Sequence, residues 1–177
     1  MFELLFPFFL LVLLFIALSI IWRINARKYI SSGTVASAYD AWTQDKLLER
    51  LWGEHIHLGF YPHDKKNVDF RKAKIQFVHE LIHWSGLDKL PKGSRILDVG
   101  CGIGGSSRIL AKDYGFNVTG ITISPAQVKR AIELTPLELN CNFKVMDALD
   151  MEFEDGTFDG IWSVEAGAHM NDKDKFA

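Results

Sequence analysis

The run Arg95-Ile96-Leu97-Asp98-Val99-Gly100-Cys101-Gly102-Ile103-Gly104-Gly105 restricts this chain more than any other stretch. A short apolar segment with strand character carries an acid near its end. It then breaks into four glycines within six residues and leads into a helix-like stretch from Ser106 to Tyr114. Glycines at a strand–helix junction let backbone N–H groups approach a ligand with no Cβ in the way, at the positive end of a helix. The junction predicts an α/β protein whose first loop cradles a nucleotide-like group.

The residues that follow fit such a fold. Strands at 95–99, 117–123, 142–146 and 158–164 alternate with helices at 105–114 and 125–134. Ser124-Pro125 reads as a helix start, a cap followed by proline at the first helical position. This order predicts a doubly wound parallel sheet. Upstream, Ser31 to Thr34 reads as a small-residue linker and Tyr39 to Leu51 as an amphipathic helix. Trp52 to Tyr61 reads as an irregular aromatic- and His-rich stretch, and Asp69 to Trp84 as a second helix. Three parts are expected: a membrane anchor at 1–28, a helical cap and substrate segment at 29–90, and the cofactor-binding domain from 91. A further helix starts at 171–177 after only the fourth strand, so the chain is expected to be the N-terminal part of a longer polypeptide.

With 20 basic and 22 acidic side chains, the net charge of −2 gives no general pull toward nucleic acid. Cys101 and Cys141 are too few for a disulfide framework and suggest a reducing compartment. Hydrophobicity is concentrated at the start, where Leu4 to Trp22 is uncharged over 19 residues. At ~1.5 Å per residue that run spans ~28 Å, the thickness of a bilayer's hydrocarbon layer. A secretory signal would carry a basic start, a shorter apolar core and a small-residue cleavage site. Here the start carries Glu3, the run is long, and Arg23, Arg27 and Lys28 follow it. The pattern predicts a bilayer anchor at residues 4–22, with the rest on the cytoplasmic or stromal side. A cleaved targeting peptide and a buried helix are the alternatives.

The glycine pattern Gly100-x-Gly102-x-x-Gly105 also satisfies the dinucleotide fingerprint. Dinucleotide folds, however, place an acid about 20 residues further on, at the end of the second strand, to hold ribose hydroxyls. Here that strand ends in Gly120-Ile121-Thr122-Ile123, with no acid. Asp98, two residues before the first glycine, would repel a pyrophosphate and attract the cationic amino-acid end of a different cofactor. The segment Asp98-x-Gly100-x-Gly102-x-Gly104 resembles the S-adenosyl-L-methionine loop of Rossmann-like methyltransferases.

Five stretches together resemble the plant and cyanobacterial tocopherol and plastoquinone methyltransferases. They are Val35-Ala36-x-Ala38-Tyr39-Asp40-x-Trp42-Thr43, Trp52-Gly53-Glu54-His55-Ile56-His57-Leu58-Gly59, Leu97 to Ser107, Gly120 to Gln127, and Trp162-Ser163-Val164-Glu165-Ala166-Gly167-x-His169-Met170. The resemblance implies methylation of a prenylated benzoquinol ring of the 2-methyl-6-phytyl type, in a plastid envelope or cyanobacterial membrane. A γ-tocopherol, sterol or other lipid methyltransferase, or a cofactor-binding fragment without turnover, is the alternative.

The resemblance also implies site residues. Asp98, Gly100, Cys101, Gly102 and Gly104 would hold the amino-acid end of the cofactor, and Thr122, Ser124 and Gln127 the ribose. Asp147 and Ala148 would hold the adenine, with Ser163 at the fourth strand's end. Glu165 and His169, four residues apart, would serve catalysis, with His169 as base supported by Glu165. Tyr39, Trp52, His55 and His57 would line the ring pocket. No metal is expected. His79-Glu80-Leu81-Ile82-His83 fits the zinc-protease signature, but the helix ends at once in Trp84-Ser85-Gly86 and no third ligand follows, so both histidines are expected on a covering helix.

Overall fold

A computed structural model describes residues 11–19, 32–63, 67–170 and 172–177. The helices are α1 (11–19), α2 (Ser32–Gln44), α3 (Leu47–Trp52), α4 (Phe70–Ser85), α5 (Gly105–Tyr114), α6 (Pro125–Leu134) and α7 (Lys173–Phe176). The strands are β1 (Arg95–Val99), β2 (Asn117–Thr122), β3 (Cys141–Val145) and β4 (Gly160–Trp162). The chain divides into two compact units, Met1–Thr34 and Val35–Ala177.

Of the apolar run 4–22 only residues 11–19 are described, as α1, and the others lie outside the described residues. Among the described residues no helix is long and apolar enough to cross a membrane.

In the second unit the four strands form one parallel sheet in the order β3-β2-β1-β4. The chain moves outward from β1 to β2 and β3, then returns to the other side of β1 for β4. The direction of winding therefore reverses between β1 and β4, and doubly wound sheets bind ligands at the carboxyl end of that reversal. The glycine loop after β1 and residues 163–169 after β4 both lie there.

Strand β1 is buried on both faces, as a central parallel strand requires. Ile96 faces a core of Val78, Ile82, Leu110, Phe116, Val118 and Trp162, under α4 and α5. Leu97 and Val99 face the opposite core with Ile121 and Ala148. Helix α4 starts where Asp69 accepts bonds from the N–H groups of Arg71 and Lys72, both at 3.0 Å, and stops at Gly86 in the left-handed region.

Two local expectations differ from the structure. Residues 39–51 form parts of two helices, because Lys46 adopts φ 54°, a left-handed conformation that ends the helical ladder. The apolar spacing of Trp42, Leu48 and Leu51 continues across that break, so periodicity alone does not reveal it. Ser32 to Thr34 forms the first turn of α2 rather than a linker, consistent with the preference of Ser and Thr for helix starts.

Asp98, on β1, is 2% exposed, and the Ser107 hydroxyl of α5 donates to its Oδ2 at 2.5 Å. Burial pushes this carboxyl up to about 7, and the Ser107 bond only partly offsets that. The folded chain therefore holds a proton that the unfolded chain releases near pH 4. Stability from this group is greatest below pH 4 and falls as pH rises toward 7. Asp98→Asn should flatten that slope and be more stable than the parent at pH 8. Denaturant midpoints at pH 5 and pH 8 check this, and an unchanged slope would contradict it.

Candidate functional site

The glycine loop turns at the reversal point of the sheet. The N–H groups of Gly100 and Cys101 both bond to the Ile121 carbonyl, at 2.9 and 3.0 Å, so these two donors face the sheet rather than a ligand. Gly102 differs. Its φ of 55° is left-handed, and a Cβ built on it would meet no atom within 4 Å. That open side is where a ligand can approach the backbone. Gly104 shows the opposite constraint, since a Cβ there would come within 2.7 Å of the Phe143 ring on β3.

The residue types around this opening fit an amino-acid-bearing nucleoside. The buried Asp98, its carboxyl pushed up by burial, lies beneath the loop, Gly102 presents bare backbone, and the carboxyl ends of β2, β3 and β4 lie beside it. The Met146 N–H bonds the Thr122 carbonyl at 3.0 Å, which brings the end of β3 to the end of β2. Asp147 then opens the next loop, its Oδ1 accepting from the Leu149 N–H at 2.9 Å, while Ala148 is buried in the core under β1. Thr122 donates to Gln127 Oε1 at 2.7 Å, and Ser124 caps α6 by accepting from the Gln127 N–H at 3.1 Å. Ser163 ties the end of β4 to β1 by donating to the Val99 carbonyl at 3.1 Å. Cys101 is buried, and burial raises its thiol well above the usual range, so it is unreactive.

Residues 163–169 form the second wall. Ala166 lies so close to the glycine loop that a Cβ on Gly100 would meet its Cβ. The expected support of His169 by Glu165 is not what the structure forms. His169 Nε2 instead hydrogen-bonds the Tyr39 hydroxyl at 2.8 Å, and Glu165 Oε1 accepts from the Leu58 N–H at 3.0 Å. Glu165 has φ 57°, a conformation few non-glycine residues hold.

Residues 35–61 form a cap over this edge. His57 Nδ1 donates to the Leu58 carbonyl at 2.7 Å, because a carbonyl can only accept. His57 Nε2, 3.1 Å from His55 Nδ1, is then the acceptor, and His55 the donor. Burial holds His55 down to about 4 and also lowers His57, so both rings are neutral at pH 7. His55 packs against the first residue of α5, where a Cβ on Gly105 would lie 2.9 Å from its ring. Trp52 is half-exposed, and Lys74 donates to the carbonyls of Trp52 and His55 at 3.4 and 2.7 Å. Tyr39, Trp42, Thr43, Leu48, Ile103 and Gln127 are among the residues lining a cleft between cap and loop.

Three ties of this cap carry no signal in the sequence because each joins distant segments. Glu54 pairs with Arg108 at 2.6 Å, Glu49 with Arg130 at 2.6 and 2.8 Å, and Asp40 with Ser124 at 2.5 Å. The two histidines of His79-Glu80-Leu81-Ile82-His83 each have protein partners. His79 bonds Tyr114 at 2.8 Å, and His83 bonds Asp88 at 2.7 Å.

Gly102→Val would fill the open side of the loop and strain a left-handed residue. It should abolish S-adenosylhomocysteine binding in calorimetry while circular dichroism stays unchanged. Unaltered affinity would rule out this loop as the cofactor contact.

Residues 96–177 match the family described as a methyltransferase domain. The chain is 61% identical over 157 residues to 2-methyl-6-phytyl-1,4-hydroquinone methyltransferase of Synechocystis sp., covering 89% of this chain and 49% of that protein. It is 44% identical over 140 residues to the chloroplastic tocopherol O-methyltransferase of Arabidopsis thaliana, covering 73% of this chain and 40% of that one. The chain thus spans about half the length of the curated relatives it matches. Among solved structures, the cyclase SpnF superposes with a TM-score of 0.73 at 27% identity, over 82% of this chain and 53% of its own. Haemonchus contortus phosphoethanolamine N-methyltransferase 2, in complex with phosphomonomethylethanolamine and S-adenosylhomocysteine, gives 0.61 at 26% identity, over 77% and 29%. The chain therefore carries a methyltransferase-domain match on a Rossmann-like sheet, and over most of its length it is similar to 2-methyl-6-phytyl-1,4-hydroquinone methyltransferase and to tocopherol O-methyltransferase.

Proposed function

We propose that this chain carries the cofactor-binding part of an S-adenosyl-L-methionine-dependent C-methyltransferase. Its substrate is the aromatic ring of a prenylated benzoquinol of the 2-methyl-6-phytyl type, in tocopherol and plastoquinone biosynthesis. The observation that carries this reading is the bare Gly102 backbone at the sheet's reversal point, with the Tyr39–His169 pair on the adjoining wall. The 61% identity to a hydroquinone methyltransferase supports the substrate class.

When bound, the cofactor supplies an electrophilic methyl group on a sulfonium. Asp98, Gly102 and Gln127 are the residues we assign to hold it, with Asp147 and Ala148 at the adenine end. Ring methylation needs the quinol's phenolic proton removed, which shifts electron density onto the ortho carbon. Burial raises the Tyr39 phenol above its ordinary value, so it stays protonated, and with His169 in the Nδ1–H tautomer it donates to His169 Nε2. A substrate hydroxyl donating to Tyr39 would complete the path, its proton moving to Tyr39 as the Tyr39 proton passes to His169. Glu165 acts by fixing the wall to the cap through Leu58. His55, His57 and Trp52 form the cap side of the ring pocket.

Mass analysis of the product from labelled donor and 2-methyl-6-phytylbenzoquinol tests the assignment. With a full-length enzyme, His169→Ala should lower turnover by about 10²-fold or more. Tyr39→Phe should lower it less and shift the pH profile. Turnover within twofold of the parent for His169→Ala would remove it from the proton path.

The division of labour extends to the N-terminus. Residues 4–22 tether the enzyme to the bilayer holding the quinol's tail, 29–90 form the cap, and 91–177 bind the cofactor. A plastid envelope or cyanobacterial membrane is the corresponding location. Deleting residues 1–28 should leave S-adenosylhomocysteine binding intact, release the protein without detergent, and lower turnover of a membrane-embedded quinol more than that of a short-chain analogue. Equal loss on both substrates would argue against a tethering role.

A further inference from the structure

The ribose end of the site is where the strand residues fall short of the chemistry. A ribose presents two neighbouring hydroxyl donors, and folds of this topology meet them with an acid at the end of the second strand. Strand β2 ends at Thr122 with no acid, and the hydroxyl protons there already have acceptors. Thr122 donates to Gln127 Oε1 at 2.7 Å, and Ser124 donates to Asp40 at 2.5 Å. What this corner still lacks is an acceptor.

Asp40 is that acceptor's only carboxylate source in these bonds, and it comes from α2, 84 residues before Ser124. Its Oδ1 takes both the Ser124 hydroxyl and the Ala126 N–H, the latter at 3.0 Å, over the first turn of α6. Both bonds fall on one oxygen, and no hydrogen bond to Oδ2 is made among the described residues. Its helix neighbours Tyr39, Trp42 and Thr43, and Gln127 on α6, line the cleft beside the glycine loop.

We propose that Asp40 is the ribose-recognising carboxylate of this site, delivered by α2 in place of the missing strand-end acid. Oδ1 holds α6 and Oδ2 accepts from the cis-diol of a nucleoside. Gln127 Nε2, whose amide is oriented by Thr122, donates to the same hydroxyls. The cofactor site is then complete only with α2 in place, so nucleoside binding and cap closure are one event. This assignment rests on the reading of the loop as an S-adenosyl-L-methionine site.

The test is calorimetry on the full 177-residue chain with S-adenosylhomocysteine and its 2′-deoxy and 3′-deoxy analogues. The parent should prefer S-adenosylhomocysteine to either analogue by about tenfold, the worth of one charge-assisted hydrogen bond. Asp40→Asn keeps a side-chain oxygen for Ser124 and Ala126. It should weaken S-adenosylhomocysteine by about tenfold and the analogues, each with one hydroxyl left, clearly less, and so shrink the preference. Equal weakening of all three ligands, or none, would make Asp40 a helix cap and overturn the proposal. So would a parent chain that binds the deoxy analogues as well as the ribose form, a result that needs no variant to fold. A parent that does not bind S-adenosylhomocysteine at all would instead overturn the cofactor reading on which the assignment rests.

Discussion

Arg108 is the point through which the separate parts of the site are joined. One face of its guanidinium bonds the Ile103 carbonyl of the glycine loop at 2.9 Å and the Thr135 hydroxyl beyond α6 at 3.2 Å. The other end pairs with Glu54 of the cap at 2.6 Å, and the side chain is only 11% exposed. A planar, permanently charged fork can serve three directions at fixed angles, which an ammonium cannot. The loop's shape, the position of α6 and the seat of the cap thus depend on one side chain. Without it, the Ile103 carbonyl, the Thr135 hydroxyl and the Glu54 carboxylate would each need another donor.

The remaining ties between cap and sheet edge are also polar. Glu49 grips Arg130 with both oxygens, Leu58 reaches Glu165, and Tyr39 reaches His169. A partly exposed ion pair or hydrogen bond contributes only on the order of 1 kcal/mol, so no single bond of this set fixes the cap. An arrangement of this kind can open by exchanging protein partners for water, with little apolar surface exposed. That suits a site whose cofactor must enter and leave between the cap and the loop.

The fold's core was legible because its signals are local. The strand-to-glycine junction at Val99–Gly100, the capped start Ser124-Pro125 and the alternation that follows depend on neighbours in sequence. The break at Lys46 was not legible, because the apolar spacing on either side is continuous. In the site, Ser124 as a helix cap and the loop at the reversal point were readable from residue type and position. The partners of Asp40, His169 and Glu165 were not, since each bond spans 84 or more residues. The four-residue spacing of Glu165 and His169 suggested one helical face. Glu165 stands instead at a left-handed turn before a short 3₁₀ helix, which sends the two side chains to different cap residues.

Trp162, at the end of β4, is 5% exposed and packs in the core under α4 and α5, across from Asp98 in the β1–β4 register. Its indole N–H has no hydrogen-bond partner among the described residues. Trp42, Trp52 and Trp84 are 48%, 46% and 85% exposed. The described residues therefore hold two optically distinct populations of indole. The buried one emits from an apolar setting at short wavelength, and the water-facing ones emit to the red. Trp42 and Trp52 belong to the cap and Trp162 to the sheet, so emission colour separates motion of the cap from loss of the sheet in a single unlabelled sample.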